Sequence, residues 1–549
     1  MPTSIHPTKR IFLVFEGGGA KGIVHVGALR ALEEHNIQIT GVAGTSAGAI
    51  VAALVAAGYS SRELVAEDGT SPLLALIGLA RATEFFGSRW RVLALLRGAA
   101  ARWWIALPLT LASFAGLAWL VAWLCGWGWA AAVHVFVVAV AAVSVFVVGW
   151  LTRGIAQLKL LADRLNLALA RKLGLPDETQ VLFRHLEEKG RPPLRIVATD
   201  LVARKLKLFS GSETPEVRVA DAVAASGSLP FACSPHEVAS PHGAAAPRHV
   251  DKRLYIDGGI VSNLPAWTFD EERALDPDAV TVAISIDDGP PPAGEGGGTV
   301  WFLLAILRAA MFGRRHLETR GAPRLLVVPV PTDIRLIDFD LSRQRAAASI
   351  ASARAFTKVK IEGQLFVLPQ RYEEACRTMI ERIDARATPN VSADPDGPKT
   401  WRTRALVARR DPGASSSWRV QFGAGLVETD ADDQILLPEN ASVIGHAVLR
   451  EAPILQAVPF SADVALEGAV NRYRRALVRK DLKWCLAIPI YRNGAPEGRD
   501  PLVVLAIDSD LDVKYFNFDA TAVLTLEAEA ETLLRPVVDY AAELNRGSP

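Results

Sequence analysis

The strongest constraint on this chain is a pair of glycine motifs, each directly after a short apolar run. They are Gly17-Gly18-Gly19-Ala20-Lys21-Gly22 and Gly44-Thr45-Ser46-Ala47-Gly48. Residues 11–15 are continuously apolar, which predicts a buried parallel strand. Residues 22–35 then take helical spacing, with Ile23, Val26, Leu29 and Leu32 able to share one face. Residues 37–42 supply a second strand, and Ser46 opens a second helix that runs to Gly58. Strand, helix, strand, helix with short connections specifies an α/β sheet. Both motifs then fall at strand-to-helix turns, where backbone N–H groups and the helix dipole favour negative charge.

That placement admits two chemistries. Gly17-x-Gly19-x-x-Gly22 after a strand also satisfies the dinucleotide-binding pattern, which wants an acidic residue at the end of the second strand. Here the second strand ends in Val42-Ala43-Gly44-Thr45-Ser46, so a hydroxyl stands where that carboxylate belongs. Gly44-x-Ser46-x-Gly48 has the form of a nucleophile elbow, whose small neighbours permit the cramped turn that presents a serine Oγ. A plain N-cap serine would occupy the same position. A nucleophile also needs a base. One arrangement is a triad of Ser46, Asp257 and either His316 or His446. The other is a dyad in which Asp257, ending an apolar strand before Gly258-Gly259, acts directly. His316 and His446 stand in surface-like settings, and His25, inside the first helix, in a packed one.

Composition narrows the partners. The 549 residues carry 60 Lys plus Arg against 59 Asp plus Glu, so no global field favours nucleic acid. Cys125, Cys233, Cys376 and Cys485 lie far apart without metal-ligand spacing. Neither a metal site nor a disulfide framework is expected, and a reducing compartment fits. The polar residues 1–10 lead straight into a strand, which predicts no signal peptide.

Apolar residues make up 50% of the chain, and the excess is local. Residues 103–125 and 129–151 are two apolar stretches parted by Gly126-Trp127-Gly128, with His134 the one basic or acidic residue in either. Each could span the roughly 30 Å of a bilayer core as a helix. Arg89, Arg91, Arg97 and Arg102 precede the pair, and Arg153, Lys159 and Arg164 follow it. That charge pattern predicts a transmembrane hairpin with both ends cytoplasmic. Trp103, Trp104, Trp127, Trp129 and Trp150 would anchor its ends. A hairpin buried in a soluble core is the alternative, but globular helices rarely bury every face. The expected location is therefore the cell membrane, with the remaining domains on the cytoplasmic side.

Further strands are expected at 194–199, 254–256, 280–286 and 324–330, and helices at 218–225 and 341–359. Residues 289–298, rich in Pro and Gly, read as a mobile loop. A third region begins near Pro369, and 388–400 has linker composition. Beyond it, 403–408, 418–422, 484–491 and 502–507 read as strands. Asn493-Gly494 turns between the last two, and 520–544 closes the chain as helix.

Five motifs in order carry a family resemblance. They are Gly-Gly-Gly-x-Lys-Gly, Gly-Thr-Ser-Ala-Gly, Ala224-Ala225-Ser226-Gly227-Ser228-Leu229-Pro230-Phe231, Asp257-Gly258-Gly259 and Asn263-Leu264-Pro265. In this order and strand context the chain resembles patatin-like phospholipases over roughly residues 10–360, interrupted by the hydrophobic insertion. The resemblance implies a patatin-like three-layer α/β/α sheet and a serine lipid acyl hydrolase of phospholipase A or lipase type. Ser46 and Asp257 would be its catalytic dyad. Gly17, Gly18, Gly19 and Lys21 would form the oxyanion loop, with Gly44, Gly48, Gly258 and Gly259 supporting the turns. Such a dyad needs no metal or cofactor, and the substrate would be a membrane phospholipid or another acyl lipid. Glu16 departs from the family, which commonly has Asp before the glycines. The different-class alternative is a non-catalytic membrane-bound sensor on the same fold.

The C-terminal region resembles a GAF domain through residues 442–449 with Ala452-Pro453-Ile454, 486–490 and 502–508. That resemblance implies an α+β domain that binds a small molecule or dimerises. The expected organisation is a catalytic domain at 10–368 with the hairpin inserted at 103–151. A linker at 369–400 and a GAF-like domain at 401–549 would follow.

Overall fold

The computed structural model describes the chain apart from residues 1–8, 36, 82, 85–102, 127, 129–130, 132, 135, 143–155, 231, 242–249, 277, 288, 290–298, 320–323, 337, 412–413, 428–429, 431–434, 459–476, 492–500 and 547–549. All but Gly289 of the expected loop at 289–298, the turn at Asn493-Gly494 and most of the polar N-terminus therefore lie outside the described residues. The chain divides into two compact units, the first comprising residues 1–319 and 325–357 and the second 320–324 and 358–549.

The first unit is built on an eight-stranded sheet. Its strands are β1 (Lys9–Phe15), β2 (Ile37–Thr45), β3 (Leu194–Asp200), β4 (Lys205–Ser210), β5 (His236–Pro241), β6 (Val250–Asp257), β7 (Val280–Asp287) and β8 (Leu325–Pro331). The order β5-β6-β3-β2-β1-β7-β8, with β4 paired to β3 off this path, makes β1 and β2 central. Both are apolar and buried at their C-terminal ends, as strands covered on both faces must be. Helix α1 (Ile23–Glu33) follows β1, and α2 (Ala47–Ala57) follows β2. Phe12 stacks on Phe269 at 4.8 Å on one face, where Val14, Ala43, Leu264 and Ala266 join the same core. Phe15, of opposite parity, packs against His25 of α1 at 5.1 Å on the other face. The expected α/β character is present, though the sheet is mixed: β3 pairs antiparallel with β4 and β6.

One topological detail positions the site. The side of β3 away from β4 is shared by two strands. β2 runs beside it parallel up to Thr45, opposite Val197, and β6 comes down antiparallel to Asp257, opposite Ala198. The C-terminal ends of β2 and β6 therefore meet head-on in one lane of the sheet.

Within the inserted segment, Trp103–Leu124 forms a single 22-residue helix. Among the described residues, however, no helix is long and apolar enough to cross a membrane. The pair of spans expected at 103–125 and 129–151 is therefore not met by what is described. The side chains of 103–111 in the first and residues 143–151 of the second lie outside the described residues. The described part still exposes large apolar side chains, among them Leu117, Trp119 at 65%, Trp123 at 67%, Val137 and Val138.

The second unit contains a six-stranded antiparallel sheet ordered β11-β10-β9-β14-β13-β12. Its strands are β9 (Thr403–Asp411), β10 (Ala414–Ala424), β11 (Leu436–Pro438), β12 (Ile454–Ala457), β13 (Trp484–Ile490) and β14 (Val503–Ser509). Alternation decides the faces. Ala405, Val407, Leu486, Ile488, Leu505 and Ile507 enter one core, and Leu406, Ala408, Ala487, Val504 and Ala506 enter the other. The linker expected at 369–400 is corrected here. Leu368–Ala393 is a helix, and only the residues after it leave helical structure. Tyr372, Cys376, Met379, Ile383 and Ala387, spaced three or four apart, are fully buried in the first of these cores. The C-terminal helix Ala520–Arg546 enters the same core through Leu526, Ala530, Leu534, Val537 and Ala541.

Candidate active site

Ser46 stands at the turn between β2 and α2 with φ 53° and ψ −122°. For a residue with a Cβ, this is a strained left-handed setting. The two flanking glycines explain how the turn closes. A Cβ on Gly44 would lie 2.4 Å from the Gly48 carbonyl oxygen, and one on Gly48 would lie 2.4 Å from that of Phe15. No side chain fits in either place. The Ser46 N–H donates to Ser226 Oγ at 2.8 Å, and Ser226 Oγ donates in turn to the Val197 carbonyl at 2.6 Å. The strained residue is thus tied to β3 through a buried serine.

The Ser46 Oγ donates to Asp257 Oδ2 at 2.7 Å. Asp257 Oδ1 accepts from the Gly259 N–H at 2.8 Å. The backbone of Asp257 is pinned as well, its N–H donating to the Ser228 carbonyl at 2.9 Å and its carbonyl accepting from Thr199 Oγ1 at 2.8 Å. Gly258 lies over the junction of the two strands. A Cβ there would come within 2.1 Å of the Val197 carbonyl oxygen. Asp257 is fully buried, and this desolvation pushes its pKa up to about 6 against the opposing pull of the Ser46 and Gly259 hydrogen bonds. Such a carboxylate is a stronger base than an exposed one, and it touches the hydroxyl it would deprotonate.

The glycine loop lies beside the elbow because β1 and β2 are neighbours. Its members are not equivalent. Gly17 N–H donates to the Asn263 carbonyl at 3.1 Å, and Lys21 N–H donates to the Gly18 carbonyl at 3.1 Å. The oxyanion role expected of Gly17 and Lys21 is corrected on that ground, since their N–H groups are already engaged. The Lys21 ammonium lies 5.6 Å from the Phe312 ring centre. Among the described residues, the N–H groups of Gly18 and Gly19 make no such bond. Gly19 has φ +55°, and a Cβ on it would meet the Leu336 carbonyl oxygen at 2.4 Å.

Glu16, the departure from the family pattern, organises the base of this loop. Its carboxylate accepts from Arg315 Nη2 at 2.9 and 3.0 Å, from the Ile286 N–H at 2.6 Å and from Asn263 Nδ2 at 3.3 Å. Burial pushes the Glu16 pKa up to about 7, against the pull of Arg315. Glu318 accepts from the N–H groups of Asn263 and Leu264 at 3.1 and 2.8 Å. The short helix Arg315–Thr319 thereby holds both the glycine loop and the segment after Asp257-Gly258-Gly259.

Of the candidate histidines, His25 is fully buried, with Nε2 donating 2.8 Å to the Glu16 carbonyl, and burial lowers its pKa to about 4. His446 is in the second unit, on the helix Val443–Leu449. The His316 side chain lies outside the described residues. The residues that sequence reasoning missed are Ser226, Ser228, Asn263, Arg315 and Glu318. The first three stand in motifs already noted, but nothing in the sequence assigns them partners. Arg315 and Glu318 have no motif at all.

Residues 13–270 match the family described as patatin-like phospholipase. A Bacillus subtilis (strain 168) protein, the uncharacterized protein YqhO, is 27% identical over 352 residues, covering 63% of this chain and 96% of its own length. Lysophospholipase NTE1 of Eremothecium gossypii is 53% identical over 49 residues, which are 9% of this chain and 3% of that protein. The GAF domain of a two-component sensor histidine kinase from Bacillus halodurans aligns at 14% identity with a TM-score of 0.20, covering 30% of this chain and 97% of that domain.

Proposed function

Residues 13–270 belong to the patatin-like phospholipase family, and from that premise we propose a membrane-seated serine acyl hydrolase of phospholipase A or lipase type, working through Ser46 and Asp257. The observation that carries this reading is the 2.7 Å hydrogen bond from Ser46 Oγ to a buried Asp257. In the first step Asp257 takes the Ser46 proton as Oγ attacks the ester carbonyl of an acyl lipid. The N–H groups of Gly18 and Gly19 receive the negative charge on the carbonyl oxygen, and loss of one such donor typically costs about 10²–10³ in rate. The tetrahedral intermediate collapses, the alcohol leaves with the proton returned by Asp257, and Ser46 carries the acyl group. Water, deprotonated by Asp257, then attacks the acyl carbonyl and releases the fatty acid. A histidine is not needed, because burial already gives the carboxylate the basicity the step requires.

The apolar composition of the inserted segment supports seating at a bilayer. Residues 103–151 carry no Asp, Glu, Lys or Arg, and Trp119, Trp123, Val137 and Val138 are exposed. An apolar surface of this kind in a lipid hydrolase is accounted for by lipid contact. The flanking arginines fit a location on the cytoplasmic side of the cell membrane. The second unit, on its sequence resemblance to a GAF domain, would bind a small molecule or a second copy of the chain.

A fluorophosphonate probe tests the enzyme reading. Wild-type protein should be labelled and Ser46→Ala should not. A folded wild-type protein that takes no label would favour a non-catalytic lipid sensor.

A further inference from the structure

The turn between β3 and β4 extends past the sheet edge that carries the dyad. Ser46 follows Thr45, which lies opposite Val197, and Asp257 lies opposite Ala198. Leu201, the first turn residue, lies three positions beyond Ala198, and β4 returns at Lys205 opposite Asp200, so the turn begins roughly 10 Å beyond the dyad. Its composition is unusual for a tight polar hairpin. Leu201 is 40% exposed and Val202 66% exposed, and Leu254, whose carbonyl accepts the Leu201 N–H at 3.0 Å, is 39% exposed. Arg204 and Lys205 follow directly and are exposed. Among the described residues neither is in an ion pair.

The tip is held in shape from below. Asp200, almost fully buried, accepts from the N–H groups of Val202 and Ala203 at 2.9 and 2.8 Å and pairs with Arg253. Arg204 has φ 54°, so the chain reverses there in a strained conformation. A rigid tip with two exposed apolar side chains followed by two exposed cations matches the layering of an anionic lipid interface. Apolar groups meet the acyl region there, and each nearby Lys or Arg gains from the phosphate charge.

We propose that the tip from Leu201 to Lys205 is a docking element for an anionic lipid surface. Leu201 and Val202 enter the interface, while Arg204 and Lys205 meet headgroup phosphates. It rests on the reading of the chain as a lipid hydrolase, and it explains how the mouth of the site would be turned toward lipid independently of the apolar insert.

The test uses the full chain in a Cys125→Ser background, with Val202→Cys carrying a polarity-sensitive fluorophore. Phosphatidylcholine vesicles with and without phosphatidylglycerol supply the surface. The emission should shift to the blue with the anionic vesicles, and equally so when Ser46→Ala is added, because the readout needs no turnover. Arg204→Glu with Lys205→Glu should reduce apparent affinity for the anionic vesicles by at least about ten-fold and leave hydrolysis of a soluble short-chain ester unchanged. Absence of a shift, or a shift indifferent to both lipid charge and the Glu substitutions, overturns the docking element, as would be expected of a tip that binds another protein. A blue shift in a protein that hydrolyses no ester supports the docking element and overturns the hydrolase reading alone.

Discussion

Thr45 and Asp257 lie against consecutive residues of one strand, Val197 and Ala198 of β3. The two arrive from opposite directions and are 212 positions apart by their numbers. The meeting of β2 and β6 in a single lane brings the Ser46 hydroxyl onto the Asp257 carboxylate without any long side chain reaching across a gap. Two short, stiff side chains on strand ends define the contact, and this gives the rigid placement that acyl transfer requires.

The first consequence is a pH profile. Asp257 must be ionised to accept the Ser46 proton, and burial has moved its pKa to about 6. Therefore kcat/KM on a soluble ester should fall about ten-fold per pH unit below 6 and level off above it. An acid limb near pH 4, the ordinary position of an exposed aspartate, would mean that the base is another group. The lowered pKa of His25, about 4, excludes it as the source of a limb at 6.

Burial of this carboxylate also has a stability cost. The folded pKa lies above the unfolded value of 3.8, at about 6. The folded state therefore holds the extra proton between these values, and stability declines as pH rises through that window. Above pH 6 the cost is complete, and a shift of about two units corresponds to up to about 3 kcal/mol. Asp257→Asn should be inactive yet more stable than wild type at pH 7, with the advantage vanishing below pH 4. Its amide can still accept from Gly259 and donate to Ser46. Thermal melts at the two pH values check the sign, and an Asn variant that is less stable at pH 7 contradicts it.

How much of this could be read beforehand depends on where the information lies. The glycine loop, the elbow and Asp257 are legible because each couples an apolar strand to a turn that few residues can form. Their partners are not. Ser226 acts through a hydrogen bond to Ser46 at a separation of 180 positions, and Arg315 reaches Glu16 across 299. No local pattern encodes such pairs. β4 and β5 escape because the alternation in KLKLFS runs over only four residues and HEVASP has none. Leu368–Ala393 escapes for the opposite reason. Pro369 and Pro389 suggest breaks, yet Pro369 directly follows a π-helical turn, Glu362–Val367, through which the helix continues, and the buried stripe from Tyr372 to Ala387 holds the rest.

Ser226→Ala isolates one of the unread partners. The substitution removes the acceptor for the Ser46 N–H and the donor for the Val197 carbonyl, both in the interior. Each unsatisfied group costs about 1–3 kcal/mol, and the strained Ser46 turn loses its tether. The variant should melt lower and lose kcat with little change in KM, because the serine is displaced while the acyl pocket is intact. If only the melting temperature moves, Ser226 supports the fold and not the nucleophile.

The last prediction concerns where the second unit begins. Its first core includes Leu368, Tyr372, Ala375, Cys376, Met379, Ile383 and Ala387 from one helix, packed with Trp484, Leu505, Ile507 and Leu534. Tyr372 alone stacks on Phe422 of β10 at 4.5 Å. A fragment starting at residue 401, as composition suggests, would leave that face of the sheet open to water. Removing even three such side chains at about 2–5 kcal/mol each equals the whole stability of an ordinary domain, about 5–15 kcal/mol. A fragment from Lys358 to Pro549 should therefore give a cooperative melt and dispersed amide resonances, and one from Trp401 should give neither. Cooperative unfolding of the shorter fragment would mean that the helix Leu368–Ala393 is dispensable, and that the domain begins where the Pro- and Asp-rich segment ends.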